Sequence, residues 1–300
     1  MTTTNGLLLV DKAGGLTSHD VVARVRRILH ERRVGHAGTL DPMATGLLVL
    51  GVGPSTRLLR FAVPGTKRYE GTVRFGVATD SHDADGAVVE ERPVPALSPA
   101  DVAAAAAAFL GERQQVPPMV SALKVGGQRL HQLARAGVEV DRPPRAITVA
   151  AFALRASEVP VAWHFEVECS AGTYVRVLLS DLARSLDTLG HLTALRRVKS
   201  GSLRVEDAVT LEALEDLCAT RRAPLRPPGE FVAHLERTVL APEDERRVRH
   251  GQRLSPLGTF AGSEVAAFNG AGDLIAVLVR RGDAWQPELV LPDERTATHG

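Results

Sequence analysis

Short unbroken apolar runs alternate along this chain with amphipathic stretches, and the two patterns predict different elements. Leu7 to Val10 and Leu47 to Val52 are continuous apolar runs edged by glycine or charge, which read as buried strands. Thr17 and Asp20 make a T-x-x-D capping box. The Val21, Val22, Val25, Ile28 and Leu29 that follow repeat at helical spacing, with the arginines mostly off that stripe. Lys67 to Phe75 alternates apolar and polar, the pattern of a half-buried strand. A turn-rich stretch, Asp80 to Gly86, leads to a second strand near Val88 and Val89. It superficially follows a calcium-loop pattern, but Ser81 and Arg92 stand where acids would be needed, so it reads as a hairpin or loop. Ser98 and Pro99 start an alanine-rich helix that runs to Leu110 and closes at Gly111. Ala146 to Leu154 and Trp163 to Cys169 read as strands, and Thr173 to Leu186 as a helix.

Two stretches break these patterns. Gly35 to Gly46 is glycine-rich with one proline and predicts a loop. Gln115 to Arg145 is punctuated by Pro and Gly and carries Lys124, Arg129, His131, Arg135, Arg142 and Arg145, which predicts a long excursion from the core. Farther on, Arg222 to Gly229 reads as a linker. Val265 to Asn269, Leu274 to Val279 and Pro287 to Leu291 then predict a small β-rich module. The expected division is a domain over 1–225, with the excursion inside it, and a module over 230–300.

Composition narrows this picture little. The 300 residues are 44% hydrophobic and 24% charged, ordinary for a globular protein, and the 4% aromatic content predicts an aliphatic core. The net charge of +1 argues neither for nor against a nucleic-acid partner. Basic residues do cluster at Arg24 to Arg33 and at Arg196, Arg197 and Lys199, where a solvated helix face is the plain alternative. Cys169 and Cys218 lie far apart without metal-ligand spacing, so neither a disulfide framework nor a zinc site is expected. The N-terminal apolar run is too short for a signal peptide or a membrane span, which points to the cytoplasm.

Asp41 is the candidate for chemistry. A reactive carboxylate needs a fixed, partly dry loop open to substrate, and Gly35, Gly38, Pro42 and Gly46 supply tight turns and stiffness around it. An Asx turn before proline explains the same residues structurally. The wider motif weighs against that plain reading. Gly35-His36-Ala37-Gly38-Thr39-Leu40-Asp41-Pro42-Met43-Ala44-Thr45-Gly46 resembles the catalytic motif of TruB-type tRNA pseudouridine synthases. Further similar segments follow in order: Asp11-Lys12, Lys67-Arg68-Tyr69-Glu70-Gly71, Gln115-Val116-Pro117-Pro118 with Ser121-Ala122-Leu123-Lys124, Gly172-Thr173-Tyr174-Val175-Arg176, and Leu195-Arg196-Arg197.

The resemblance spans about residues 6 to 217, and what it implies can be stated residue by residue. The fold would be α+β, with a mixed, mostly antiparallel central sheet flanked by helices and loops. The tail resembles a PUA-like or actinobacterial TruB C-terminal module. The reaction would be isomerisation of uridine to pseudouridine at position 55 in the T loop of tRNA, without cofactor, metal or guide RNA. Asp41 would be the essential carboxylate, attacking C1′ or the ring, or taking a proton from C2′. Arg176 would hold its charge, and Tyr69 would stack on the uracil and could assist loss of the C5 proton. Tyr174 and Leu195 would line the pocket, His36 would fill the stack the uridine leaves, and Lys12 would support the pocket. Lys124, Arg129, Arg135, Arg145, Arg196 and Arg197 would meet RNA phosphates, several of them on a thumb over 115–145. The tail would touch the acceptor stem. Val120, His131 and Ala13 depart from the usual pattern. A guide-dependent synthase and a noncatalytic RNA-binding protein are the competing readings. Neither an obligate protein partner, a membrane nor an oligomer is expected.

Overall fold

The computed structural model describes residues 4–62, 65–121, 138, 140–220, 223–255 and 257–292, together with the backbone of 124–125 and 128–129. The chain opens with strand β1 (Gly6–Lys12), helix α1 (Ser18–Leu29), β2 (Val34–Ala37) and β3 (Thr45–Val52). β4 (Lys67–Phe75), the small β5–β6 ladder (Val77–Thr79, Val88–Glu91), α2 (Pro99–Ala107) and β7 (Gly111–Gln115) follow. The short β8–β9 ladder (Lys124–Val125, Gln128–Arg129) then leads to β10 (Arg145–Ala156), β11 (Ala162–Cys169) and α3 (Val175–Ser185). β12 (Gly190–Ser200), β13 (Leu203–Arg204) and α4 (Leu211–Ala219) complete the larger part.

These strands form a mixed sheet in the order β1-β3-β12-β4-β11-β10-β7, with β2 also on β3 and β13 on β12. Its pairings are antiparallel except where β12 runs beside the start of β3, placing Arg196 against Thr45 and Arg197 against Gly46. That single parallel junction joins the Asp41 loop to the basic strand. A second sheet, β14 (Glu236–Val239), β15 (Glu264–Phe268), β16 (Leu274–Arg281) and β17 (Ala284–Val290), carries helix α5 (Pro242–Arg249) between its first two strands.

The continuous apolar runs now have a physical reason. A strand with polar alternation has one wet face, whereas β1 and β3 have none. Leu8, Val10, Leu48, Leu50 and Val52 face the main core with α1, while Leu7, Leu9, Leu47 and Val49 face a second core. That second core takes Phe231, Val232, Phe268, Leu274 and Leu289 from the C-terminal part. The two sheets thus share buried apolar surface across β1 and β3.

Most local signals hold. Thr17 and Asp20 form the reciprocal capping box, and Ser98 forms another with Asp101 at the start of α2. Three expectations are corrected. Gly35 to Gly46 is not loop throughout, because Val34–Ala37 pairs with β3 as β2 and the loop proper begins at Gly38. Arg196, Arg197 and Lys199 lie on strand β12, whose pairing with β4 shifts register twice and so breaks the alternation a sequence reading needs. The stretch read as a linker is pinned at Arg226, whose amide and carbonyl both bond Leu7 (2.8 and 2.9 Å).

Phe231 is 2% exposed in the shared core. Replacing it with Ala should cost roughly 3–5 kcal/mol. Urea unfolding followed at Trp163 and Trp285, one in each sheet, should show a single transition moving to lower urea at both reporters.

Candidate active site

Asp41 sits in the loop that carries β2 into β3, and that loop is fastened at almost every residue. Its two apolar neighbours, Leu40 and Ala44, are buried in the main core. Ser18 Oγ of α1 accepts from the Leu40 amide (3.0 Å) and donates to its carbonyl (3.2 Å). The Pro42 carbonyl accepts from Lys12 Nζ (3.0 Å) and from the Gly15 amide (2.9 Å). The Gly38 carbonyl accepts from Arg197 Nη2 (2.8 Å), and Arg197 Nε donates to the Leu47 carbonyl (2.7 Å). Two glycines make this approach possible. Gly46 has φ +96°, and a Cβ there would lie 2.3 Å from the Arg197 carbonyl. Gly38 has φ +73°, and a Cβ would lie within about 3.2 Å of both Lys67 Nζ and Arg197 Nη1.

Lys12 and Arg197 are therefore structural cations. Lys12 is fully buried and gives its three protons to the carbonyls of Ala13, Leu16 and Pro42 (2.9, 2.6 and 3.0 Å). It lies beneath the loop, out of reach of a substrate. Burial lowers its ammonium to about 8, opposed chiefly by the charge of Asp41. Arg197, expected to meet RNA, is 1% exposed with its fork turned inward. Arg196 is half-buried and bidentate on Asp11 (2.9 and 2.7 Å).

The carboxylate itself stays 35% exposed while its partner Arg176 is 3% exposed. Arg176 reaches it from the first turn of α3, with Nε 3.2 Å from Oδ2 and Nη2 3.4 Å from Oδ1. The rest of the fork is spent on the Ser81 carbonyl (2.8 Å), the Val120 carbonyl and, at 3.8 Å, Asp83. A cation in the first turn of a helix opposes the macrodipole, and α3 has no acid there, so Asp41 and Asp83 supply the balance. Burial raises the Asp41 pKa; Arg176 is the main force lowering it, Asp83 and Asp85 raise it further, and Lys12 lowers it.

Tyr69 and Tyr174 lie near this pair, and Leu195 lies beside the start of β3. Tyr69 is buried on β4 near Arg197; burial raises its phenol above the ordinary value, which disfavours the phenolate. Tyr174 caps α3, and its ring lies 5.9 Å from the Arg176 guanidinium carbon. Gln115 clamps Tyr174 by accepting from its amide (2.8 Å) and donating to its carbonyl (3.1 Å). Leu195 lies on β12 opposite Gly71, and its carbonyl accepts from Thr45 Oγ1 at 3.4 Å. His36 is half-buried on β2 with its ring edge-on to His19 at 5.4 Å, and burial lowers its pKa. Among the described residues its Nδ1 has no hydrogen-bond partner.

Arg145 is exposed at the start of β10. Lys124 and Arg129 pair by backbone in the β8–β9 ladder, their side chains lying outside the described residues, as do Arg135 and His131. Asp83 is a site residue that the sequence does not disclose; its stretch reads as a hairpin or loop, and only the fold brings it beside Arg176. A concavity of about 600 Å³ adjoins the loop through Met43, Thr45 and Leu195, although Asp41 itself does not line it.

The chain that carries this carboxylate and arginine also matches known proteins along most of its length. Residues 26–175 match the model described as TruB family pseudouridylate synthase (N terminal domain). Residues 176–246 match that of the tRNA pseudouridylate synthase B C-terminal domain. The chain belongs to the TruB family of pseudouridylate synthases. Among TruB relatives it is similar to the tRNA pseudouridine synthase B of Leifsonia xyli, 46% identical over 93% of both chains. It is also similar to that of Nocardia farcinica, 45% identical over 95% of this chain and 93% of the relative. Among solved structures it shares its fold with a chain of a Cbf5-Nop10-Gar1 complex, at a TM-score of 0.75 and 24% identity, covering 97% of this chain and 86% of that one. The two TruB matches abut between Val175 and Arg176, inside α3, so their junction marks no boundary in the fold.

The pinned loop can be tested through its glycines. Gly46→Ala adds a clash to left-handed strain and should cost roughly 3 kcal/mol in urea unfolding. Gly172 is also left-handed (φ +85°), but a Cβ there would meet nothing within 4 Å. Gly172→Ala should cost only about 1–2 kcal/mol.

Proposed function

We propose that this enzyme acts on the uridine at position 55 in the T loop of tRNA, with Asp41 as its reactive carboxylate and without a guide RNA. As a TruB enzyme it isomerises uridine to pseudouridine in tRNA. The bond between N1 and C1′ breaks, the uracil turns, and C5 bonds C1′. The C5 proton leaves and N1 gains one, so no oxidant, group donor or cofactor enters the balance. The observation that carries the assignment of Asp41 is its ion pair with Arg176, which joins a buried cation to a carboxylate still a third open.

Each proposed role follows from placement. All three routes from Asp41, attack at C1′, attack on the ring and removal of the C2′ proton, need the ionised form. Arg176 favours that form, and its burial keeps water from screening it. Tyr69 serves as a stacking face for the uracil; its raised pKa argues against a standing phenolate base. Tyr174 and Leu195 bound the same space. A nucleotide turned out of the loop loses its stacking, and His36, set beside the Asp41 loop on β2, offsets part of that loss. Lys124, Arg129, Arg135 and Arg145 contribute phosphate contacts from the 115–145 segment. The catalytic domain is taken as 1–225, with 230–300 as a module that meets the acceptor stem. The enzyme acts as a monomer in the cytoplasm; among the described residues no helix is long and apolar enough to cross a membrane.

Asp41→Asn keeps the shape and removes the charge. It should bind an unmodified T-arm hairpin within about threefold of the parent, while tritium release from C5-labelled uridine falls at least about 100-fold. Unchanged release would overturn the role of Asp41, and a strict need for a guide RNA would overturn stand-alone action.

The pH profile tests the ion pair. An acid whose pKa is raised in the fold is ionised only at higher pH, so the acid limb of the single-turnover rate should lie above the ordinary carboxylate range. Arg176→Lys weakens the main opposing charge and should move that limb upward. A limb that stays in place would show that Asp41 is not the titrating group.

A further inference from the structure

Lys67 is a buried charge that none of the roles above uses. It opens β4 two residues before Tyr69 and is 7% exposed. Lys12, in contrast, has a carbonyl for each of its protons. Among the described residues Lys67 has no hydrogen-bond or ion-pair partner for its ammonium. Burial and the like charge of Arg197 lower it to about 8, and only the Cys169 thiol opposes them; no carboxylate offsets the charge.

Its position makes that deficit informative. Lys67 Nζ and Arg197 Nη1 lie 3.1 and 3.2 Å from the point where a Cβ on Gly38 would sit. The two cations therefore converge beneath Gly38, which is partly exposed and has no side chain to cover them, and Thr39 beside it is exposed. Arg197 has spent Nε and Nη2 on loop carbonyls, so Lys67 Nζ and the remaining Arg197 Nη1 are the donors beside the Gly38 backbone. A buried polar group without a partner is costly, and a charged one more so. A full negative charge arriving over Gly38 would relieve both cations together. Gly38 is three residues from Asp41, at most about 10 Å along the chain. An anion held there and a sugar at Asp41 fall within the span of one or two nucleotides.

We propose that Lys67, backed by Arg197, receives an RNA phosphodiester immediately next to the turned-out uridine. Gly38 is then the gap through which the phosphate approaches, in addition to permitting the turn. Fixing the backbone on one side of the target holds C1′ against Asp41 once the base has left its stack. This proposal rests on the reading of Asp41 as the residue that isomerises uridine.

The test uses the full chain and T-arm hairpins bearing one neutral methylphosphonate at each linkage flanking the target in turn. One flanking linkage should weaken binding to the parent protein roughly tenfold when neutralised. The same linkage should change binding to Lys67→Met by less than about twofold, because two changes that remove one contact are not additive. Lys67→Met alone should lose about tenfold, with a slope of log K against log salt shallower by about 0.7. Lys67→Arg should retain most of the affinity. A flat methylphosphonate scan on the parent protein overturns the proposal, whether or not Lys67→Met folds. A folded Lys67→Met with unchanged affinity and salt slope overturns it equally. Tritium release by Asp41→Asn separates the two levels: unchanged release there overturns the reading of Asp41, and with release lost there and a flat scan on the parent protein only the phosphate site falls.

Discussion

The carbonyls on either side of Asp41 are held by two buried cations, and the geometry of the site depends on that hold. Lys12 takes Pro42 from below, and Arg197 takes Gly38 and Leu47 from β12. A loop of this composition would otherwise sample many conformations, since glycine loses more freedom on ordering than any other residue. Both cations fasten carbonyls, so the Asp41 carboxylate is left to Arg176. Both cations are anchored in sheet strands, so the carboxylate inherits the rigidity of β1, β3 and β12. The one parallel junction of the main sheet, β3 beside β12, is what brings Arg197 under the loop.

The charge balance at Asp41 is set by opposing neighbours instead of a single partner. Arg176 and Lys12 favour the ionised form, while burial, Asp83 and Asp85 oppose it. Asp83 has two effects at once. It shares Arg176 with Asp41, which keeps the buried guanidinium compensated in a helix turn that disfavours it, and it raises the carboxylate it helps to position. A lone Arg176–Asp41 pair would bind the carboxylate more firmly. Dividing the arginine among Asp41, Asp83 and two carbonyls holds the Asp41 carboxylate less exclusively than a lone pair would.

What the sequence shows and what it hides divide along the range of the interactions involved. The capping box at Thr17, the alternation of β4 and the runs of β1 and β3 are local, and all are visible in the order of residues. Asp41, Tyr69 and Arg176 are legible through motif resemblance, and the fold brings their elements together. Arg197 reads as a surface contact in the sequence because burial of an arginine is decided by β3 and β12 meeting 150 residues apart. β12 escapes notice because its bulges break the period of two. Asp83 lies in a turn whose local pattern gives no sign of Arg176, more than 90 residues away. Gln115 stands in the matched motif, yet its hold on Tyr174 is a contact between β7 and α3 that spacing cannot express.

The two buried lysines also show where this site works against the stability of the fold. Each has a folded pKa of about 8, below its ordinary value of 10.5, so the charged form is disfavoured on folding. The penalty is fully present below pH 8 and fades as pH rises from there toward 10.5. At neutral pH the fold therefore carries two ammonium groups whose charge burial disfavours. Lys12 recovers much of its penalty through three carbonyls that fix the loop. Lys67 recovers none among the described residues, and hydrophobic replacement of such a group is commonly stabilising. A phosphate arriving with the substrate, as proposed, would offset this charge at the Gly38 backbone, where Lys67 Nζ lies 3.1 Å from the Cβ position.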